Sequence, residues 1–186
     1  MLENKKNVLF DMDGLLIDSE ALGIKMWEKV FAKHNEPFNP EAAYKTIGSN
    51  GLAAQEMLEK VTGNRYYFTR FREDKIKETR KYLETNPMPV KKGAHELLTY
   101  LKDNGYTLVL TSSTFEPDVL FSLKSAGLDK YFDKFVCGDH VTRAKPNPEI
   151  FNKAIEIYGL NKEETFILED SRNGIIAADA AGIDVI

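Results

Sequence analysis

The feature that most constrains this fold is the placing of its first strand. Val8-Leu9-Phe10 is a short apolar run that ends in Asp11-Met12-Asp13-Gly14. It reads as a buried strand entering a loop. Residues from about 19 to 86 then carry helix patterns with no strand among them. Only after Asn86-Pro87-Met88-Pro89, a linker by composition, do strands return, now alternating with helices. Such alternation calls for a parallel sheet covered on both faces. The reading is therefore an α/β, Rossmann-like parallel sheet core, residues 1–18 and 87–186, with an all-helical cap, residues 19–86, inserted after the first strand.

In the inserted block, Ser19 caps a helix in which Leu22, Met26 and Val30 recur at helical spacing, ending near His34-Asn35. Asn39-Pro40 opens a short helix to Ile47. Another is expected from about Leu52 to Gly63. A long charged helix follows from about Tyr66 to Glu84, with Phe68, Phe71, Ile76 and Leu83 turned inward. In the second half, helices are expected over 94–104, with Leu97, Leu98 and Leu101 inward, and over 116–127, 148–158 and 174–181. Strands are expected over 106–110, 135–137 and 165–168. The chain ends on Gly182-Ile183-Asp184-Val185-Ile186, which reads as the beginning of one more buried strand.

Ligands of an open parallel sheet bind beyond the carboxyl ends of its strands. Asp11 and Asp13 follow the first strand, and Thr111-Ser112-Ser113-Thr114 the second. Gly138-Asp139 and then Lys145 follow the third, and Glu169-Asp170 the fourth. Acids gathered at one rim repel one another, and a hard divalent cation relieves this; a few carboxylates with waters and a substrate phosphate are the oxygen set Mg²⁺ prefers. A hydroxyl run at a strand-to-helix turn makes an anion site, or at its simplest a capping turn. Lys145, held extended by Pro146, supplies a fixed positive charge. The set suits phosphoryl transfer: a carboxylate attacks phosphorus, and a neighbouring acid serves the leaving group and then water.

Four motifs stand in one order: Phe10-Asp11-Met12-Asp13-Gly14-Leu15-Leu16-Ile17-Asp18-Ser19-Glu20, Leu110-Thr111-Ser112-Ser113, Lys145-Pro146-Asn147-Pro148-Glu149-Ile150-Phe151 and Leu168-Glu169-Asp170-Ser171. In these the chain resembles the haloacid dehalogenase superfamily, in its subgroup of β-phosphoglucomutase-like phosphatases and sugar-phosphate mutases, over essentially its whole length. The resemblance implies that Asp11 is the nucleophile and Asp13 the general acid/base. It implies that Ser112 and the Ser113 N–H hold phosphate and that Lys145 bridges phosphate and nucleophile. Asp11, the Asp13 carbonyl, Glu169 and Asp170 would hold Mg²⁺. It also implies that about 20 to 35 further residues would follow Ile186 within ordinary domain length.

The expected activity is a Mg²⁺-dependent phosphatase acting on a small phosphorylated metabolite, such as a sugar phosphate, through an aspartyl-phosphate. A hexose-phosphate mutase and a non-catalytic phosphate-binding relative are the alternatives. Mutases of the subgroup carry a His where this chain has Gly23 and an Arg near Asn50, in the loop Gly48–Gly51, which favours hydrolysis. That loop is also where the substrate would be read, and the cap is expected to close as a lid.

Charge and composition bound the partners. Lys plus Arg number 25 and Asp plus Glu 29, a net charge of −4, so no general basic footprint for nucleic acid exists. No apolar run approaches the ~20 residues of a membrane helix, and the polar residues 1–7 with a short apolar stretch do not make a signal peptide. The single cysteine, Cys137, excludes an intrachain disulfide and reads as a buried small hydrophobe. A cytoplasmic monomer or weak dimer is expected, whose partner is its small phosphorylated substrate. His34, His95 and His140 lie outside every motif and are expected at the surface or in packing.

Overall fold

The structure is a computed structural model that describes residues 4–44, 56, 59–60, 63 and 66–186. Its strands are β1 Asn7–Phe10, β2 Thr107–Thr111, β3 Phe135–Val136, β4 Thr165–Leu168 and β5 Asp184–Val185. Its α-helices are α1 Ser19–Lys33, α2 Pro40–Tyr44, α3 Tyr66–Leu83, α4 Ala94–Asp103, α5 Glu116–Ala126, α6 Glu149–Tyr158 and α7 Arg172–Ala181. The chain divides into two compact units, Met1–Asp18 with Met88–Ile186, and Ser19–Pro87. The expected extension of the short helix to Ile47, the helix from about Leu52 to Gly63, and the loop Gly48–Gly51 with Asn50 lie largely outside the described residues.

The first unit is the expected parallel α/β sheet, in the order β3-β2-β1-β4-β5. β1 pairs in parallel register with β2 on one side (Leu9 with Val109) and β4 on the other (Leu9 with Ile167). Val8, Leu9 and Phe10 are completely buried, which is why β1 is a continuous apolar run rather than an alternating one. Leu9, Val109 and Ile167 pack with Ile150, Phe151 and Ala154 of α6 and with Ala177, Ala178 and Ala181 of α7. Burying each large aliphatic side chain here contributes roughly 1.5–3 kcal/mol. The small residues of α7 let that helix lie close against the sheet.

In this unit two local readings need correction. Leu97 is 40% exposed rather than inward. Ala94, Leu98 and Leu101 form the buried i, i+4, i+7 stripe of α4, and Leu97 sits about 100° away from Leu98 on the helix. The start of α7 also lies earlier than Gly174, because Ser171 caps it: the Gly174 N–H donates to Ser171 Oγ at 3.0 Å.

In the second unit, Trp27, Val30 and Phe31 of α1 pack with Ala43 and Phe71. The Phe31 ring meets Phe38 at 5.5 Å and Phe71 at 5.3 Å edge-on, a preferred aromatic geometry. Ile76 is 43% exposed, contrary to its expected inward placing. Below Phe71, the inward stripe of α3 is charged and meets α1 through ion pairs: Asp74 with His34 (2.7 Å) and Lys33 (3.2 Å), and Glu78 with Lys29 (2.6 Å). Helical spacing from Phe71 through Asp74, Glu78 and Tyr82 turns Ile76 to the other side. The His34 ring stacks on Phe71 at 4.3 Å, a packing role.

The points where the chain leaves and re-enters the first unit are tied together. Asp18 N–H donates to the Pro89 carbonyl at 2.8 Å, Ile17 bridges Val90, and Lys91 pairs with Asp18 at 3.2 Å.

Candidate active site

Because β2 and β3 extend one way from β1 and β4 and β5 the other, the strand order reverses at β1. Open parallel sheets form their ligand crevice at such a point. Asp11 follows β1 and Glu169 follows β4 directly across it. The Asp11 N–H donates to the Leu168 carbonyl at 3.0 Å, which fixes the two segments side by side.

Lys145 lies at the centre of the site. Its ammonium donates to Asp11 Oδ1 (2.7 Å), Glu169 Oε1 (2.6 Å) and the Thr111 carbonyl (3.1 Å), using its three protons on groups that follow or end three different strands. The Lys145 side chain is 5% exposed and that of Glu169 wholly buried. The ammonium also sits 5.1 Å from the centre of the Phe151 ring. Burial works against the Lys145 charge, but Asp11 and Glu169 outweigh it and hold its pKa above the usual lysine value.

Two acids share this one cation. Burial pushes the Asp11 carboxyl up to about 7, against the pull of Lys145 and with the push of Glu169. Asp170, exposed at the rim, is also raised, first by desolvation and then by Glu169. Carboxylate oxygens of Asp11, Glu169 and Asp170 lie within 4.8 Å of one another. Three carboxylates against one ammonium leave negative charge uncompensated, and the donors are all hard oxygens. This chemistry fits Mg²⁺.

The Asp13 carboxylate belongs to a different group of contacts. Its Oδ2 accepts from Thr114 Oγ1 at 2.8 Å, with Ser112 Oγ at 3.4 Å. Ser112 is completely buried, and its Oγ accepts the Thr114 N–H at 3.0 Å; Ser113 is exposed. The structure thus brings Asp11, Lys145, Glu169 and Asp170 together in one cluster and Asp13 with Ser112 and Thr114 in the next.

The loop that delivers Lys145 is organised by Glu149 at the start of α6. Its carboxylate accepts the Thr142 N–H (2.7 Å) and hydroxyl, the Arg143 N–H (3.2 Å) and Arg143 Nε (3.1 Å). Led by the Thr142 N–H, these bonds hold Glu149 down to about 2. A depressed acid stabilises the fold above its ordinary pKa of 4.5 and loses that contribution as pH falls toward 2. The difference in melting temperature between wild type and Glu149→Gln is therefore expected to be largest above pH 5 and to shrink steadily below 4.5. Thermal melts of both proteins from pH 6 to pH 3 check this.

Several residues of the site went unread in the sequence. Thr114 stood within the hydroxyl run without being assigned to Asp13. Ser171 holds the far oxygen of Glu169, donating its N–H to Oε2 at 2.8 Å. Gly174 gave no signal, since a small helical residue reads as packing. Yet a Cβ there would fall 1.7 Å from Glu169 Oε1. The buried carboxylate, pinned by Lys145 and Ser171, would have to leave its place. Gly174→Ala is expected to lower kcat/KM about 10- to 100-fold, the usual cost of disturbing groups that orient a charged site. Steady-state kinetics on an aryl phosphate check it, with a chemical melt showing that the variant still folds.

The model of the haloacid dehalogenase-like hydrolase family matches residues 8–186. The chain belongs to that family. A phosphorylated carbohydrates phosphatase of Thermotoga maritima is 33% identical over 96% of this chain and 82% of that protein. A phosphoglycolate phosphatase of Aquifex aeolicus is 34% identical over 94% of this chain and 80% of its own length. A crystal structure of a provisionally named beta-phosphoglucomutase from Thermotoga maritima superposes with a TM-score of 0.79 at 30% identity, covering 97% of this chain and 83% of that one. The expected fold and the expected resemblance to haloacid dehalogenase-like hydrolases both stand. Among the described residues, no helix is long and apolar enough to cross a membrane.

Proposed function

We propose that this haloacid dehalogenase-like hydrolase is a Mg²⁺-dependent phosphatase of the cytoplasm that hydrolyses a small phosphorylated metabolite, of the sugar-phosphate kind, through an aspartyl-phosphate on Asp11. The observation that carries the reading is the buried Lys145 ammonium shared between Asp11, Glu169 and the Thr111 carbonyl, with Ser112, the residue after Thr111, meeting the Asp13 carboxylate. Relatives named as phosphatases support it.

Ser112 Oγ and the Ser113 N–H hold the phosphoryl oxygens, and Lys145 offsets their charge. An Asp11 carboxylate oxygen forms the new bond to phosphorus as the bond to the leaving oxygen breaks. Asp13 gives that oxygen its proton. In the second half, Asp13 takes a proton from water as the water oxygen attacks phosphorus, and Asp11 and inorganic phosphate are released. Asp11, the Asp13 carbonyl, Glu169 and Asp170 would hold Mg²⁺, which supplies charge neutralisation at the phosphoryl oxygens.

The mutase alternative needs a group to steer a phosphorylated intermediate. At Gly23, where mutases carry a His, the Lys75 ammonium lies 3.4 Å from where a Cβ would stand. Purified protein, tested on an aryl phosphate and a panel of sugar phosphates with and without Mg²⁺, decides the matter. Mg²⁺-dependent phosphate release is expected. Isomerised sugar phosphate with little free phosphate would replace the phosphatase by a mutase, and phosphate binding without turnover would make the protein a non-catalytic relative.

A further inference from the structure

The β2–β3 pairing continues beyond the strands. The ladder proper ends with Thr111 opposite Val136. Past it, the Ser112 N–H donates to the Val136 carbonyl at 3.1 Å and the Gly138 N–H to the Thr114 carbonyl at 2.9 Å. The Glu116 N–H donates to Asp139 Oδ1 at 3.0 Å. The loop carrying Ser112, Ser113 and Thr114 is thus bonded, step by step, to residues 136–140. The approach is close: a Cβ on Gly138 would stand 2.2 Å from the Ser113 carbonyl oxygen.

A side-chain pair closes the far end of this zipper. His140 Nε2 lies 2.9 Å from Glu116 Oε2, while His140 Nδ1 accepts the Cys137 N–H at 3.2 Å. Because Nδ1 is an acceptor, the ring proton belongs on Nε2, which donates it to Glu116. The ring is itself anchored: the His140 N–H donates to the Cys137 carbonyl at 2.9 Å, and Lys153 Nζ of α6 donates to the His140 carbonyl. A fixed imidazole therefore grips the first residue of α5, directly after the hydroxyl loop.

We propose that the Glu116–His140 pair is a positioning device that presets the Ser112–Thr114 loop for a phosphate group. This rests on the reading of Ser112 and Ser113 as the residues that hold phosphate. The bonds given above for the pair run to Cys137, Asp139 and Lys153, and none of them is to Asp11, Glu169 or Asp170. The His140 and Glu116 side chains are 30% and 42% exposed, so the pair adds little to global stability. Its effect is on how often the loop is in its binding shape. If losing the pair leaves that shape about one-third populated, phosphate affinity falls about threefold.

The test uses His140→Ala, Glu116→Ala, the double variant and Glu116→Gln in the whole chain. Three quantities are followed: KM and kcat for an aryl phosphate, the inhibition constant of inorganic phosphate, and amide hydrogen exchange. Each alanine variant is expected to raise KM and the phosphate constant about threefold with kcat nearly unchanged, because the loop holds phosphate equally before and during reaction. The double variant is expected to be no worse than either single, since the two act as one unit. Glu116→Gln, which still accepts the Nε2 proton, is expected to behave as wild type. Exchange should quicken over residues 112–116 and stay unchanged over Thr165–Leu168.

Unchanged phosphate constants in the alanine variants would overturn the inference alone. So would an equal loss in Glu116→Gln, or faster exchange spread through β4. A wild-type protein that neither hydrolyses aryl phosphates nor binds phosphate would overturn the functional reading and this inference with it.

Discussion

Asp11→Asn is expected to abolish phosphate release, by on the order of 10⁴-fold or more, as when a nucleophile is removed from a set of groups that act together. The amide keeps the shape and the Lys145 contact of the carboxylate but cannot attack phosphorus. Folding should survive. Asp11 is 7% exposed and its charge is disfavoured by burial, so a neutral side chain of equal size is tolerated there. Steady-state phosphate release with and without Mg²⁺, beside a thermal melt, checks the prediction. Turnover within a hundredfold of wild type by a correctly folded Asp11→Asn protein would remove Asp11 from the role of nucleophile.

Lys145→Ala is expected to act on both activity and stability. The ammonium bridges two acids, and its removal leaves Asp11 and a fully buried Glu169 facing each other without the cation between them. Breaking a buried pair in this way costs about 3–5 kcal/mol, against the near-zero cost of losing a surface pair. The lost cation is also the one assigned to the phosphoryl group, so turnover falls with it. Urea unfolding measures the stability loss. Added Mg²⁺ is expected to narrow the deficit, since a divalent cation among the same carboxylates restores part of the missing positive charge. A variant as stable as wild type in the absence of Mg²⁺ would mean that the acids rearrange away from each other at little cost.

Much of the sheet was legible because burial on both faces leaves a simple trace. Val8-Leu9-Phe10 and Thr165–Leu168 are short apolar runs, and both are strands. The clustering of acids was legible for a related reason: Asp11 and Glu169 stand directly after strands, where a parallel sheet places its ligands. Helix faces were read less well wherever polar residues took inward places. By spacing Ile76 reads as a core residue, but the inward stripe of α3 is largely filled by Asp74 and Glu78, whose partners lie on α1 and at its end. An apolar count cannot see an ion-paired interface. Thr114 and Gly174 were missed because their parts depend on a partner far along the chain, Asp13 for one and Glu169 for the other.

The central place of β1 has a consequence in time. Asp11 follows β1, yet its counter-ion, Lys145, lies 134 residues later, and β4, which lines the other side of β1, later still. Contacts of such separation form slowly, because a long loop must close before they stabilise anything. During synthesis Asp11 therefore precedes Lys145, Glu169 and the strand β4 beside it by more than a hundred residues. The Asp11–Lys145–Glu169 cluster is complete only once the sheet has closed around β1, so in refolding its assembly would mark the completed fold rather than the first helices.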